Sequence, residues 1–281
     1  MKLNKLFAGL LAALLLLSAA ALADVTIGVP DDTTNEARAL QLLADNGIIE
    51  LAEGAGETAT KADVIADGIE IVEVQADQLV NQLPDLDYAV INSNFVLDAL
   101  DAGFEIDKAL LTEVEEKYLP SANVIAVRGD NVDADLTKAL VAATTSQQVK
   151  DYIEATYAGA VLSVVGNPTD GYDPDVDYDA LAGTTLVIAA TPAPHAQILE
   201  IVKQILAEKD INLDIAVFTG YTEENPAVDA GDAYANYFQH QPYLDDYVAE
   251  TGGNVVSVAI VHTEPMGLYG GRQADLGALG K

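Results

Sequence analysis

"TTLVIAATPAPHAQILEIVKQILAEKDINLDIAVF", residues 184–218, decides the fold class. A β-branched run at 184–190 meets proline punctuation, apolar residues then recur at helical spacing from Ala196 to Lys209, and a second β-branched run follows at 213–218. Strand, helix and strand in so short a span form the unit that builds a parallel sheet with helices on its faces. The same alternation runs along the chain. "VTIGV" (25–29), "IEIVEV" (69–74), "YAVI" (88–91), "NVIAVR" (123–128) and "VVSVAIV" (255–261) read as strands. Residues 35–46, 76–83 and 136–157 read as helices, the last broken near Thr145. An α/β architecture with mainly parallel sheets is therefore expected. Ligands in such sheets bind beyond the carboxyl ends of strands, which directs attention to "VPDDTTNEAR" (29–38), "VINSNF" (90–95) and "AATPAPHAQ" (189–197).

Composition narrows the partners. The 281 residues hold 45 Asp and Glu against 13 Lys and Arg, a formal charge of -32, and no cysteine. That charge repels nucleic acid and anionic membranes, and neither disulfides nor thiolate metal sites are available. "MKLNKLFAGLLAALLLLSAAALADV" opens the chain with two lysines, an apolar run and small residues before Asp24. It reads as a secretory signal peptide over 1–23, with an uncleaved anchor as the alternative. The mature chain is then expected to be periplasmic or secreted, with no direct membrane insertion and no cysteine to carry a lipid. One segment, "GNPTDGYDPDVDYDALAG" (166–183), is rich in Asp, Gly and Pro without apolar period and reads as a solvated linker between two α/β blocks.

Three groups of residues offer recognition chemistry. Arg38 sits in or near the first turn of a helix that Thr33 or Thr34 can cap, where it either grips a carboxylate through its planar fork or pairs with Asp31 or Asp32 at the surface. Asn92 and Asn94 follow a buried-looking strand, where their amides serve a ligand or a turn. In "AYANYFQHQPYLDDY" (233–247), period two puts Phe238 and His240 on one face of a strand, and Pro242 starts a helix carrying Tyr243. These rings form a ligand wall or an aromatic core. His240, His262 and Glu264 are also plausible metal ligands by type, but without the spacing of a zinc motif; the chain has no nucleophile motif and no complete phosphate loop.

Six stretches together resemble one family, the periplasmic methionine-binding lipoproteins that deliver substrate to a methionine ABC importer. They are "PDDTTNEARAL" (30–40), "AVINSNF" (89–95), "ATPAPHAQIL" (190–199), "FTGY" (218–221), "AYANYFQHQPYL" (233–244) and "HTEPMGLYG" (262–270). Their order differs from the family's, in which the A-T-P-x-P-H segment comes first; the chain looks circularly permuted, with 166–183 joining the usual C-terminus to the usual N-terminus. Asp31, Thr33, Ala37 and Gly220 depart from the family pattern, and the lipid-anchor cysteine is missing.

The resemblance implies a two-lobed periplasmic-binding-protein fold, type II-like and permuted, with lobes at 24–126 and 127–281 joined by one covalent crossing near Ala126. It implies that Arg38 binds a ligand carboxylate, that Asn35 and Asn92 hold the polar end, and that Tyr221, Phe238, His240 and Tyr243 line a side-chain pocket. His262 and Glu264 would stand at its edge. The expected ligand is L-methionine or a related small amino acid, the expected partner an importer's permease and ATPase, with no cofactor and no catalysis. A metal-dependent hydrolase using His240, His262 and Glu264, or a ligand sensor, is the alternative.

Overall fold

The structure is a computed structural model describing residues 25–100, 103–105 and 108–281; the signal-peptide expectation for 1–23 lies outside them. In chain order the strands are β1 (Val25–Pro30), β2 (Glu50–Leu51), β3 (Val64–Ile65), β4 (Ile69–Val74), β5 (Tyr88–Asn92), β6 (Leu111–Thr112), β7 (Asn123–Arg128), β8 (Leu162–Ser163), β9 (Thr185–Ala190), β10 (Asn212–Val217), β11 (Ala235–His240), β12 (Val255–Thr263) and β13 (Met266–Gly270). They form two principal sheets, ordered β4-β1-β5-β13-β6 and β10-β9-β11-β7-β12-β8, with β2 and β3 as a separate pair. Each sheet is the floor of one lobe.

The apolar runs form strands because helices cover them. β5 is buried along its whole length, as a run of apolar residues covered on both faces should be. Helix Gln197–Ala207 buries Ile198, Leu199, Val202, Ile205 and Leu206, one apolar stripe of period 3.6. It packs with Val149 and Ile153 of helix Gln147–Tyr157 and Ala139 and Leu140 of helix Asp135–Thr144 in the core of the second lobe. The break near Thr145 falls where Ser146 caps the next helix, its hydroxyl accepting the Val149 N–H at 3.2 Å.

Three expectations are corrected. The sheets are mixed rather than mainly parallel: β1 runs parallel to β4 and β5, and β9 to β10 and β11, but β7, β12 and β13 enter antiparallel to their neighbours. Strands that travel between lobes arrive from the opposite direction. Second, the chain crosses between lobes twice, from β6 to β7 and from β12 back to β13, so 127–281 is not one contiguous lobe and the first crossing precedes Ala126. β13 fills the slot beside β5, burying Met266 and Leu268. The chain then passes so close to its neighbours that a Cβ on Gly271 would stand 2.1 Å from the Leu83 carbonyl oxygen.

Third, residues 166–183 are docked rather than solvated. Val176 is buried in the second core, Tyr172 and Tyr178 meet edge to face at 5.7 Å, and the Lys209 ammonium lies 4.5 Å from the Tyr172 ring centroid. The tyrosines and valine between the aspartates attach the segment. Asp175 and Asp179 stay exposed.

Candidate functional site

The carboxyl ends of β1, β5 and β11 converge where the two lobes meet. From the first lobe come helix Thr33–Asp45, which starts after β1, and Asn92 to Asn94 after β5. From the second come Asn123 at the start of β7, Tyr221 in the loop beyond β10, Phe238 to His240 at the end of β11, and Tyr243 on helix Gln241–Thr251. Glu264 and Met266 lie on and just past the second crossing. Together with Asn35, Arg38 and Ser93 these residues line a cavity of about 360 Å³, counted with the space at its mouth that is open to solvent.

A directed chain of hydrogen bonds fixes the polar wall. Asp32, not Thr33 or Thr34, caps the helix: its carboxylate accepts the Asn35 N–H at 3.0 Å and the Asn35 Nδ2 at 2.9 Å. Because a carboxylate only accepts, Asn35 must turn its Nδ2 to Asp32 and its Oδ1 into the site. That oxygen receives Asn92 Nδ2 at 2.9 Å and His240 Nε2 at 3.2 Å. His240 Nδ1 accepts the Tyr243 N–H at 3.1 Å, so its proton sits on Nε2. Burial, aided by the Arg38 charge, pushes the imidazole pKa down to about 3, and the ring is neutral at physiological pH. Asn94 Oδ1 accepts the Tyr221 hydroxyl at 2.7 Å. The bonds from His240 and Tyr221 both cross between lobes.

What this chain leaves over defines the site. Asn92 Oδ1, Asn94 Nδ2 and Glu264 Oε2 are buried without a hydrogen-bond partner among the described residues. Leaving such groups dry and unpaired costs about 1–3 kcal/mol each. Two are acceptors and one is a donor. Opposite stands an apolar wall in which Tyr221, Phe238 and Tyr243 contact one another at ring-centroid distances of 5.7–5.8 Å.

Arg38 lines the cavity but pairs with neither Asp31 nor Asp32. Its Nε donates to Glu113 Oε1 at 3.2 Å and its Nη2 to Glu113 Oε2 at 2.6 Å, so the two-nitrogen fork is closed by a residue that sequence reading passed over. Nothing in "LTEVEEK" (111–117) marks Glu113 apart from the neighbouring glutamates. Asn123, Gln239 and Met266 were missed as well. Gln239 joins Phe238 and His240 because the register of β11 on β7 shifts between Tyr237 and Gln239, and such a bulge breaks strict alternation.

His262 lies beneath the cavity rather than on it. Its Nδ1 is hydrogen-bonded to the Tyr237 hydroxyl, and its Nε2 has no hydrogen bond among the described residues and stands 3.8 Å from Glu264 Oε1. The metal grouping of His240 with His262 and Glu264 is not what the structure assembles: His195, His262 and Glu264 converge, with candidate ligand atoms within 4.8 Å of one another. His195 has both nitrogens engaged, Nδ1 with Thr191 at 2.7 Å and Nε2 with Asn123 at 3.0 Å. A metal would have to displace one of them.

Known proteins share these features in pieces. The chain is 41% identical over 85 residues to the methionine-binding lipoprotein MetQ of Bacillus subtilis, covering 30% of this chain and 31% of that one. It is 35% identical to the D-methionine-binding lipoprotein MetQ of Escherichia coli K12, covering 48% and 50%. Less than two thirds of either relative is spanned. Among solved structures, a lipoprotein of Ruminococcus gnavus is 43% identical over 52% of this chain and 61% of that chain, with a TM-score of 0.46. The model of the NlpA lipoprotein family matches residues 19–165 and 186–281, and the chain belongs to that family.

Proposed function

We propose that this chain is an extracytoplasmic substrate-binding protein that captures methionine or a close analogue between its lobes and presents the closed form to an ABC importer. The observation that carries the reading is the set of unpartnered buried atoms. Asn92 Oδ1 and Glu264 Oε2 suit an ammonium, and Asn94 Nδ2 beside the Arg38 guanidinium suits a carboxylate. Arg38 is the one cation among the described lining residues, so a zwitterion fits and a dianion does not. The wall of Tyr221, Phe238 and Tyr243 is suited to an apolar side chain, and aromatic rings contact thioether sulfur favourably.

The relatives' names supply the side-chain identity, and the importer is what the family resemblance implies. Permutation is part of the same reading: the family model matches in two blocks that flank the acidic segment, and the sequence-order alignments to the MetQ proteins of B. subtilis and E. coli stop at half the chain or less. In this reading residues 1–23 direct export and are removed, and the released chain has no cysteine to lipidate. Calorimetric titration of residues 24–281 with L-methionine, D-methionine, a methionine dipeptide and a panel of other amino acids tests it. Heat with a methionine compound and none with acidic or basic amino acids is expected; no heat with any methionine compound refutes it.

A further inference from the structure

Glu113 occupies the best carboxylate-binding edge of Arg38 while itself facing two other groups. The Glu113 Oε2 that receives Arg38 Nη2 also accepts the Met266 N–H at 2.7 Å, and the Glu113 N–H donates to the Met266 carbonyl at 3.1 Å. Arg38 Nη2 reaches the Glu264 carbonyl at 3.5 Å as well. Glu113 leads out of β6 into the first crossing between lobes, and Glu264 and Met266 flank the end of the second. One buried carboxylate thus ties the cavity's arginine to both strands that join the lobes.

We propose that Glu113 is the positioning residue for Arg38: it holds the guanidinium so that Nη1 is the edge offered to a ligand carboxylate, and it fastens that arginine to both crossings. The inference rests on the amino-acid reading above. A guanidinium bound along Nε and Nη2 cannot rotate, and its remaining N–H groups point away from the occupied edge. Remove the Glu113 charge and the guanidinium loses the two charge-assisted hydrogen bonds that hold Nε and Nη2. Arg38 is then free to turn Nη1 away from the ligand carboxylate. The same residue explains why the fork, normally the strongest carboxylate grip, is not open to the ligand.

The test compares methionine with methioninamide, which lacks the carboxylate, on the wild-type chain and on Glu113→Gln, which preserves volume. Wild type is expected to prefer the acid. Glu113→Gln is expected to weaken methionine by about 30-fold, the lower range for breaking a buried charge pair, while methioninamide changes much less, so that the acid-to-amide preference collapses. An equal loss for both ligands, or no loss for either, overturns the proposal. Wild type binding neither ligand overturns the amino-acid reading instead. Should Glu113→Gln fail to fold, nuclear magnetic resonance of the wild-type Arg38 guanidinium decides: slow rotation about Nε–Cζ without ligand is expected, and free rotation overturns the assignment.

Discussion

Arg38 and Glu113 are 15% and 5% exposed at the side chain, so removing either charge strands the other away from water. Arg38→Ala is accordingly expected to do two things: weaken methionine binding strongly, and lower folding stability by about 3 kcal/mol in denaturant titration. A near-native unfolding midpoint would show that Glu113 finds another partner. Glu224 presents the opposite case. Both its oxygens are buried without a hydrogen-bond partner among the described residues, and burial pushes its carboxyl up to about 8. Its folded pKa exceeds the unfolded one, so the penalty is absent below about pH 4 and grows as pH rises toward about 8. Glu224→Gln is expected to flatten the dependence of the unfolding midpoint between pH 5 and pH 9; an unchanged slope would count against the burial argument.

At the scale of elements, Asp87 joins three pieces of the first lobe. Its carboxylate accepts the Thr26 N–H at 2.9 Å in β1 and the Arg272 guanidinium at 2.8 Å past β13, and its carbonyl accepts the Gly271 N–H at 2.9 Å. Burial alone would raise this carboxyl, but hydrogen bonds from Thr26, Arg272 and Gln273 outweigh it and bring the pKa down to about 2. Here the folded value lies below the unfolded one, so the stabilisation is present above about pH 4 and is lost as pH falls toward about 2. Asp87→Asn should cost about 2 kcal/mol at pH 7 and nearly nothing at pH 2, measured as the difference from wild type in urea unfolding. β13 was not legible as a strand. "MGLYG" has two glycines in five residues, and it holds its conformation because β5 and β6 bracket it. By contrast, "IEIVEV" and "NVIAVR" became strands at the residues read from the sequence, because runs rich in Ile and Val and free of Gly and Pro leave little choice.

For the whole molecule, the second crossing changes what the permutation proposed above implies. A chain joined at one point would close loosely. Here the Glu113 N–H donates to the Met266 carbonyl, the Met266 N–H donates to the Glu113 carboxylate, and the Thr263 hydroxyl donates to the Tyr118 carbonyl at 2.9 Å, so the two connections lie side by side. Ligand-induced compaction in small-angle scattering is therefore expected to match that of an unpermuted relative. Opening the chain between Asp173 and Asp175 and joining residue 281 to residue 25 through a short linker should restore the family order and keep methionine affinity within about threefold, since no site residue is touched. A loss beyond tenfold would show that the acidic segment must be continuous.

Local chemistry determined the α/β class and most strand and helix positions and singled out Arg38, Asn92 and the rings around Phe238, while Asn35 and Tyr221 came with the family resemblance. Arg38, Asn35, Asn92, Tyr221, Phe238, His240, Tyr243 and Glu264 all line the cavity, because their motifs end strands or begin helices where loops converge. Tertiary structure alone decided that Glu113 takes the arginine's fork, that His262 drops below the wall beside Tyr237, and that β13 returns to the first lobe. Each depends on residues far apart in sequence, 75 for Arg38 and Glu113 and 25 for Tyr237 and His262. Periodicity reports which face of an element is apolar; which polar group meets which across a closed cavity is set by how the lobes pack.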